Sequence, residues 1–159
     1  MSHSKLHFYD ASNSHNVPSG VHAAVYMDGE FAWTESEIKR MGPIFRITVL
    51  GGVEAAHKAR SIDIEKGNPA YDPERFMPFL IERSRHYGDA TPYCDRSDRP
   101  MVEQHCERAG ILHLMRFWIA TLDGTQDVEG AWAVQYSGGF HSPFDISVLH
   151  GRNDFHKAA

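Results

Sequence analysis

Apolar residues along this chain fall in short runs broken by turn formers, and the runs have the length of strands rather than helices. Eight are legible, at residues 6–9, 23–26, 44–50, 61–65, 90–94, 113–120, 130–136 and 144–149. The first runs into Asp10, the second into Met27-Asp28-Gly29, the third into Gly51-Gly52 and the fourth into Lys66-Gly67. The seventh stops at Ser137-Gly138-Gly139 and the eighth before Gly151. β-branched and aromatic residues dominate these runs, as a pleated, half-buried surface requires.

Helical patterns lie between several of the runs. Thr34 with Glu37 three residues on forms a capping box for a short helix through Arg40. Asp72-Pro73 supplies an N-cap and a first-turn proline to the longest helix, whose stripe is Phe76, Phe79, Leu80 and Ile81 and which runs to Tyr87-Gly88. Pro78 inside it predicts a kink or a later start. A third helix spans 98–109 and stops at Gly110. After residue 121 the connections are too short and turn-rich for helices. Strand–helix alternation predicts a parallel sheet, and eight strands predict closure into a barrel. The length is short for a full barrel of ~200–250 residues, so the expected fold is α/β: a small TIM-like (β/α) barrel with a reduced helical layer. One domain over 1–159 is expected, with a polar, frayed tail from about 152.

Composition narrows the function classes. Sixteen Lys and Arg against twenty-one Asp and Glu leave a net charge of −5, which argues against a nucleic-acid surface. No apolar run reaches the ~18 residues of a membrane span. The opening Met-Ser-His-Ser-Lys-Leu lacks the apolar stretch of a signal peptide, so the chain is expected in the cytoplasm as synthesised, or released or virion-associated where phage-encoded. Cys94 and Cys106 are too few for a disulfide scaffold and read as reduced thiols. Eleven histidines are scattered without zinc-binding spacing.

Candidate chemistry centres on Asp63-Ile64-Glu65. Residues two apart on a strand share a face, ~6.5–7 Å apart. Asp63 and Glu65 therefore project together and Ile62 and Ile64 oppositely. In a barrel the isoleucines meet the covering helices and the acids face the axis near the C-terminal mouth. Like-charge proximity and partial burial should raise the pKa of one acid, which is the equipment of glycoside hydrolysis. A wet strand end with ion pairs to Lys66 is the competing reading. Asp10 ends the first strand and Asp145 opens the last, and closure makes those strands neighbours. Either acid also suits a turn. Tyr26, Tyr93, Trp118, Gln135 and Tyr136 gather at strand ends, where aromatic faces stack on sugars and amides bond hydroxyl or acetamido groups. Core packing is the alternative for Trp118 and Tyr136.

Five short motifs recur in one order: Tyr9-Asp10, Tyr26-Met27-Asp28-Gly29, Asp63-Ile64-Glu65, Tyr93-Cys94-Asp95-Arg96-Ser97 and Gln135-Tyr136, with Phe144-Asp145-Ile146 following. In that order and spacing the chain resembles glycoside hydrolase family 25, the Chalaropsis-type lysozymes, and more closely the small glycoside-hydrolase-like domains of actinobacteria and their phages. The resemblance covers about residues 6 to 150. It implies a barrel with a degenerate helical layer and cleavage of the β-1,4 bond after N-acetylmuramic acid in peptidoglycan, without cofactor or metal. Glu65 would be the general acid. Asp63 would stabilise positive charge or orient the substrate acetamido group, and Asp10 and Asp145 would tune the cleavage point. Two alternatives stand beside it. One is a non-catalytic carbohydrate-binding or virion structural module on the same barrel. The other is a metal hydrolase holding Mg²⁺ or Ca²⁺ through Asp10, Asp63, Glu65 and a histidine such as His141.

Overall fold

The computed structural model describes residues 4–139 and 141–158. Met1 to His3, the start of the segment read as lacking a leader, and Ala159, the end of the predicted tail, lie outside the described residues. The strands are β1 (His7–Asp10), β2 (Ala23–Tyr26), β3 (Pro43–Thr48), β4 (Ser61–Asp63), β5 (Thr91–Asp95), β6 (Trp118–Ala120), β7 (Ala133–Ser137), β8 (Asp145–Leu149) and β9 (His156–Lys157). The helices are α1 (Glu35–Lys39), α2 (Pro73–Tyr87) and α3 (Arg99–Arg108).

Strands β1 to β7 pair in chain order and in parallel, and β8 closes the ring by pairing antiparallel with both β7 and β1. The predicted small α/β barrel is therefore the fold. The reversed β8 departs from an all-parallel sheet for a simple reason. The stretch between β7 and β8 is too short for a crossover, which needs a dozen or more residues, and only a hairpin fits. The predicted strand at 113–120 shrinks to Trp118–Ala120, because Leu112–Leu114 coil into a 3₁₀ turn.

The helix signals act locally. Thr34 Oγ1 accepts the Glu37 amide while Glu37 Oε2 accepts the Thr34 amide, completing the capping box of α1. Asp72 caps α2 through the Glu74 amide, and Gly88 ends it in the left-handed region. Pro78 neither delays nor divides α2, which is continuous across it. For α3 the turn forms around Asp95, whose Oδ1 accepts from Ser97 Oγ and the Asp98 amide, both at 2.7 Å.

Strand alternation sorts side chains into two cores. Phe8, Phe45, Trp118, Tyr93 and Leu149 fill the barrel interior. Ile62, Ile64, Cys94 and Ile119 point outward and pack on Phe76, Phe79 and Leu80 of α2 and on Val102 and Cys106 of α3. Cys94 and Cys106 are free and buried, and burial raises both thiols, Cys106 to about 12, so neither is a ready nucleophile.

The described part of the tail is not frayed. β9 pairs antiparallel with the start of β3, and Phe155 sets its ring 4.9 Å from Phe45 and 5.1 Å from Phe8. A polar composition hid one aromatic that closes the N-terminal end of the barrel. Phe155→Ala should lower the unfolding free energy by about 2 kcal/mol, below the cost of a fully buried phenylalanine because the ring is half-buried. Urea denaturation measures this. An unchanged midpoint would mean that the tail does not support the core.

Candidate active site

The C-terminal ends of the parallel strands and the start of the reversed β8 meet at one mouth. Asp10 and Asp145 are direct partners in the antiparallel β1–β8 register. Their side chains therefore share a face. Asp63 lies opposite Tyr93 in the β4–β5 register. The four predicted acids, though 135 positions apart from first to last, feel each other's charge: Asp145 and Glu65 act on Asp10, and Glu65 and Asp10 act on Asp63.

Two carboxyl pairs result, each with one buried and one more open member. Asp10 is 2% exposed and Asp63 3%, whereas Asp145 is half-buried and Glu65 exposed. Asp10 lies against Asp145 and Asp63 against Glu65, so a proton on one member of either pair can be shared with the other. Burial, followed by its partner's charge, pushes Asp10 well above the usual carboxylate range. The same two causes, with Glu65 as the neighbour, lift Asp63. Asp145 is also raised by desolvation, against the pull of the Gly139 amide that donates to its Oδ1 at 2.7 Å.

Neutral hydrogen bonds hold the buried acids in place. Gln135 Nε2 donates to both Asp10 oxygens at 3.1 and 3.2 Å, and its Oε1 accepts from the Tyr93 hydroxyl at 2.7 Å. The Tyr26 hydroxyl donates to Asp63 Oδ2 at 3.4 Å. Asp63 Oδ1 is buried without a donor. A buried carboxylate oxygen in that position is costly, and a proton on it removes the charge and turns the orphan into a donor.

The five predicted binding residues divide. Tyr26, Tyr93 and Gln135 touch the acids or their partners. Trp118 lies beneath the mouth, 1% exposed, edge-on to Tyr93 at 4.5 Å, with its indole N–H on Ser147 Oγ at 2.9 Å. It forms the floor of the site. Tyr136, one residue beyond the inward Gln135, points out of the barrel and bonds His7 Nδ1 at 3.0 Å.

Sequence reasoning missed Ser147 and Gly138. Ser147 is two residues past Asp145 and so on the same face, a signal that was available. At Gly138 (φ +133°) a Cβ would lie within 1.8 Å of Asp145 Oδ1, so only glycine lets that carboxylate fold over the β7 end. Asp28 of the Tyr26-Met27-Asp28-Gly29 stretch has a structural role: it accepts from Thr48 Oγ1 at 2.6 Å and from the Val49 amide at 2.8 Å, tying the ends of β2 and β3.

Among the described residues the set tight enough to share one metal ion is His57, Glu82 and His86, on the outer helical layer and not at the mouth. A cleft of about 760 Å³ also lies outside the wall, beside Glu35, Arg46, Glu54 and Arg75. No helix is long and apolar enough to cross a membrane among the described residues.

Neither a family model nor a curated protein matches the chain. The chain is similar in fold to a solved structure of the Mycobacterium tuberculosis Tat-secreted protein Rv2525c in complex with HEPES, at a TM-score of 0.50 and 13% identity, over 92% of this chain and 95% of that one. At that identity the likeness concerns the fold. It also corrects the expected cytoplasmic location: a protein of this architecture is Tat-secreted, so the opening residues do not fix a cytoplasmic one.

Proposed function

We propose that this protein is a glycosidase of the muramidase type, cleaving β-1,4 bonds of bacterial peptidoglycan with carboxyl groups alone. One observation carries the reading: a buried Asp63, lifted well above the usual carboxylate range by burial and by the charge of Glu65, beside that solvent-facing Glu65 at the mouth of a closed barrel. Glycoside cleavage needs one acid that holds a proton at working pH and one ionised carboxyl nearby. The pair supplies both. Glu65 reaches the glycosidic oxygen because it is the exposed member. Asp63 holds the pair's one proton because burial favours its neutral form; that proton moves to Glu65, which delivers it to the leaving oxygen, and the attacking water returns one proton to the pair. The polar face of Asp63 also suits an acetamido group.

The second pair, Asp10 and Asp145, lies across the mouth and carries negative charge where an oxocarbenium-like centre would gain positive charge. Tyr26 supplies an aromatic face at the rim. Likeness in fold to a Tat-secreted protein supports action outside the cell, where wall glycan lies.

The test is incubation with purified peptidoglycan and mass analysis of the soluble fragments. Release of disaccharide-peptides ending in reducing N-acetylmuramic acid is expected. Glycan binding without any new reducing end would replace the enzyme with a carbohydrate-binding module on the same barrel.

A further inference from the structure

The end of the barrel opposite the acids carries the reverse charge. A cavity of about 230 Å³ opens between the start of β3, the residues ahead of β4, the second half of α2 and the C-terminal tail. Arg46, Lys58, Arg60 and Arg83 line it, with His156 and a lone acid, Asp154. Four permanent cations facing one small cavity is unexpected in a chain of net charge −5.

Counter-charges within the protein do not account for the cluster. Asp154 is already taken by Arg60 at 3.1 Å and Arg152 at 2.8 Å, and Asp89 by Arg60 at 3.4 Å and Arg116 at 4.0 Å. Among the described residues, Arg46, Lys58 and Arg83 have no salt bridge. Arg60 is a built part of the wall: its side chain is 10% exposed and its guanidinium stacks 5.1 Å over Trp132. The Nε atoms of Arg60 and Arg83 are both buried without an acceptor. Arg83 is held by the Ala56 carbonyl at 3.1 Å and by the Tyr87 ring at 4.0 Å, so it is fixed facing Arg60 rather than free to swing into solvent. Two guanidiniums kept close against their repulsion are stable only at a cost. Burial and the Arg60 charge accordingly depress Arg83.

We infer that this cavity binds a small phosphate-type oxyanion, seated between Arg83, Arg60, Arg46 and Lys58. Planar guanidiniums present paired N–H donors that match tetrahedral oxyanions, and a point-charge lysine completes the set. The volume accommodates an inorganic phosphate or the head of a phosphomonoester, not a sugar chain. The site is remote from the acid mouth and independent of the proposed glycosidase activity, so either can stand without the other.

Calorimetric titration of the whole protein with inorganic phosphate, at ionic strength held constant with sodium chloride, tests it. Saturable one-site binding is expected, weakened about tenfold or more in Arg83→Gln and in Lys58→Gln, the expected loss for one charge-assisted hydrogen bond. Lys58 is exposed, so its variant tests the site without risk to folding. Co-sedimentation with phosphatidylcholine vesicles, with and without phosphatidic acid, separates the source of the group. Capture by phosphatidic acid, lost in both variants, places the phosphate on a lipid. Phosphate binding without vesicle capture places it on a soluble ligand. Heats no greater than those of chloride with no vesicle capture, or binding equal in wild type and both variants, overturns the inference.

Discussion

Glu65→Gln is expected to abolish peptidoglycan cleavage, by a factor on the order of 10²–10⁴, the contribution of a positioned general acid, while leaving the barrel folded. The amide has nearly the shape of the acid but cannot release a proton to the leaving oxygen. Glu65 is solvent-facing, and exposed substitutions seldom move stability by more than about 0.5 kcal/mol. Loss of activity with an unchanged unfolding curve therefore reports chemistry. Asp63→Asn is the informative companion. Its amide oxygen still accepts from the Tyr26 hydroxyl, but the stored proton is gone. It should lose activity as well and shift the alkaline limb of the pH–rate profile. Equal clearing of wall suspensions by wild type and Glu65→Gln would remove Glu65 as the acid. Full activity of Asp63→Asn with an inactive Glu65→Gln would remove the proton store and leave the acid assignment intact.

Much of this arrangement was legible in residue order. Period-two alternation at Ser61-Ile62-Asp63-Ile64-Glu65 fixes which side chains face helices, and Ile62 and Ile64 do pack on α2. Thr34 with Glu37, and Asp72-Pro73 with Gly88, mark helix ends by local hydrogen bonding that needs no tertiary context. What the sequence hid depends on contacts between distant strands. Trp118 looks like a binding aromatic until the Phe8, Phe45 and Tyr93 rings are placed around it. Tyr136 faces outward because its neighbour Gln135 is inward, and nothing local says which of the two reaches the axis. The split of burial between Asp63 and Glu65 follows from the length of β4, which ends at Asp63 and leaves Glu65 in the loop beyond. Phe155 is one aromatic in a polar tail, and only the open end of the barrel gives it a place.

Stability should fall, not rise, as pH climbs above about 4. Asp10 and Asp63 both sit well above the ordinary value of 3.8 in the folded chain. Between that value and their raised ones, the folded state holds protons that the unfolded state has released. Unfolding free energy then declines as pH rises across that interval. The stability they allow is fully present below 3.8 and is lost as pH rises through the folded-state values. Asp123 and Asp95, held low by backbone and side-chain hydrogen bonds, act oppositely, but only as pH drops below their ordinary range. His22, lowered by partial burial, also favours higher pH, though it keeps much of its contact with solvent. Two deeply buried carboxyls outweigh these surface groups, and the expected maximum lies on the acid side of neutrality. Asp10→Asn isolates the cause. Its carbonyl can accept from Gln135 and its amide N–H can donate to Asp145, reproducing the neutral acid without its charge. The variant should therefore match wild type near pH 4, exceed it at pH 7, and show a flatter profile in urea denaturation across pH 4–8. A wild type that gains stability steadily from pH 4 to 7, with Asp10→Asn running parallel below it, would show that Asp10 is ionised and well paired in the fold. The stored proton at the mouth would then lose its physical basis.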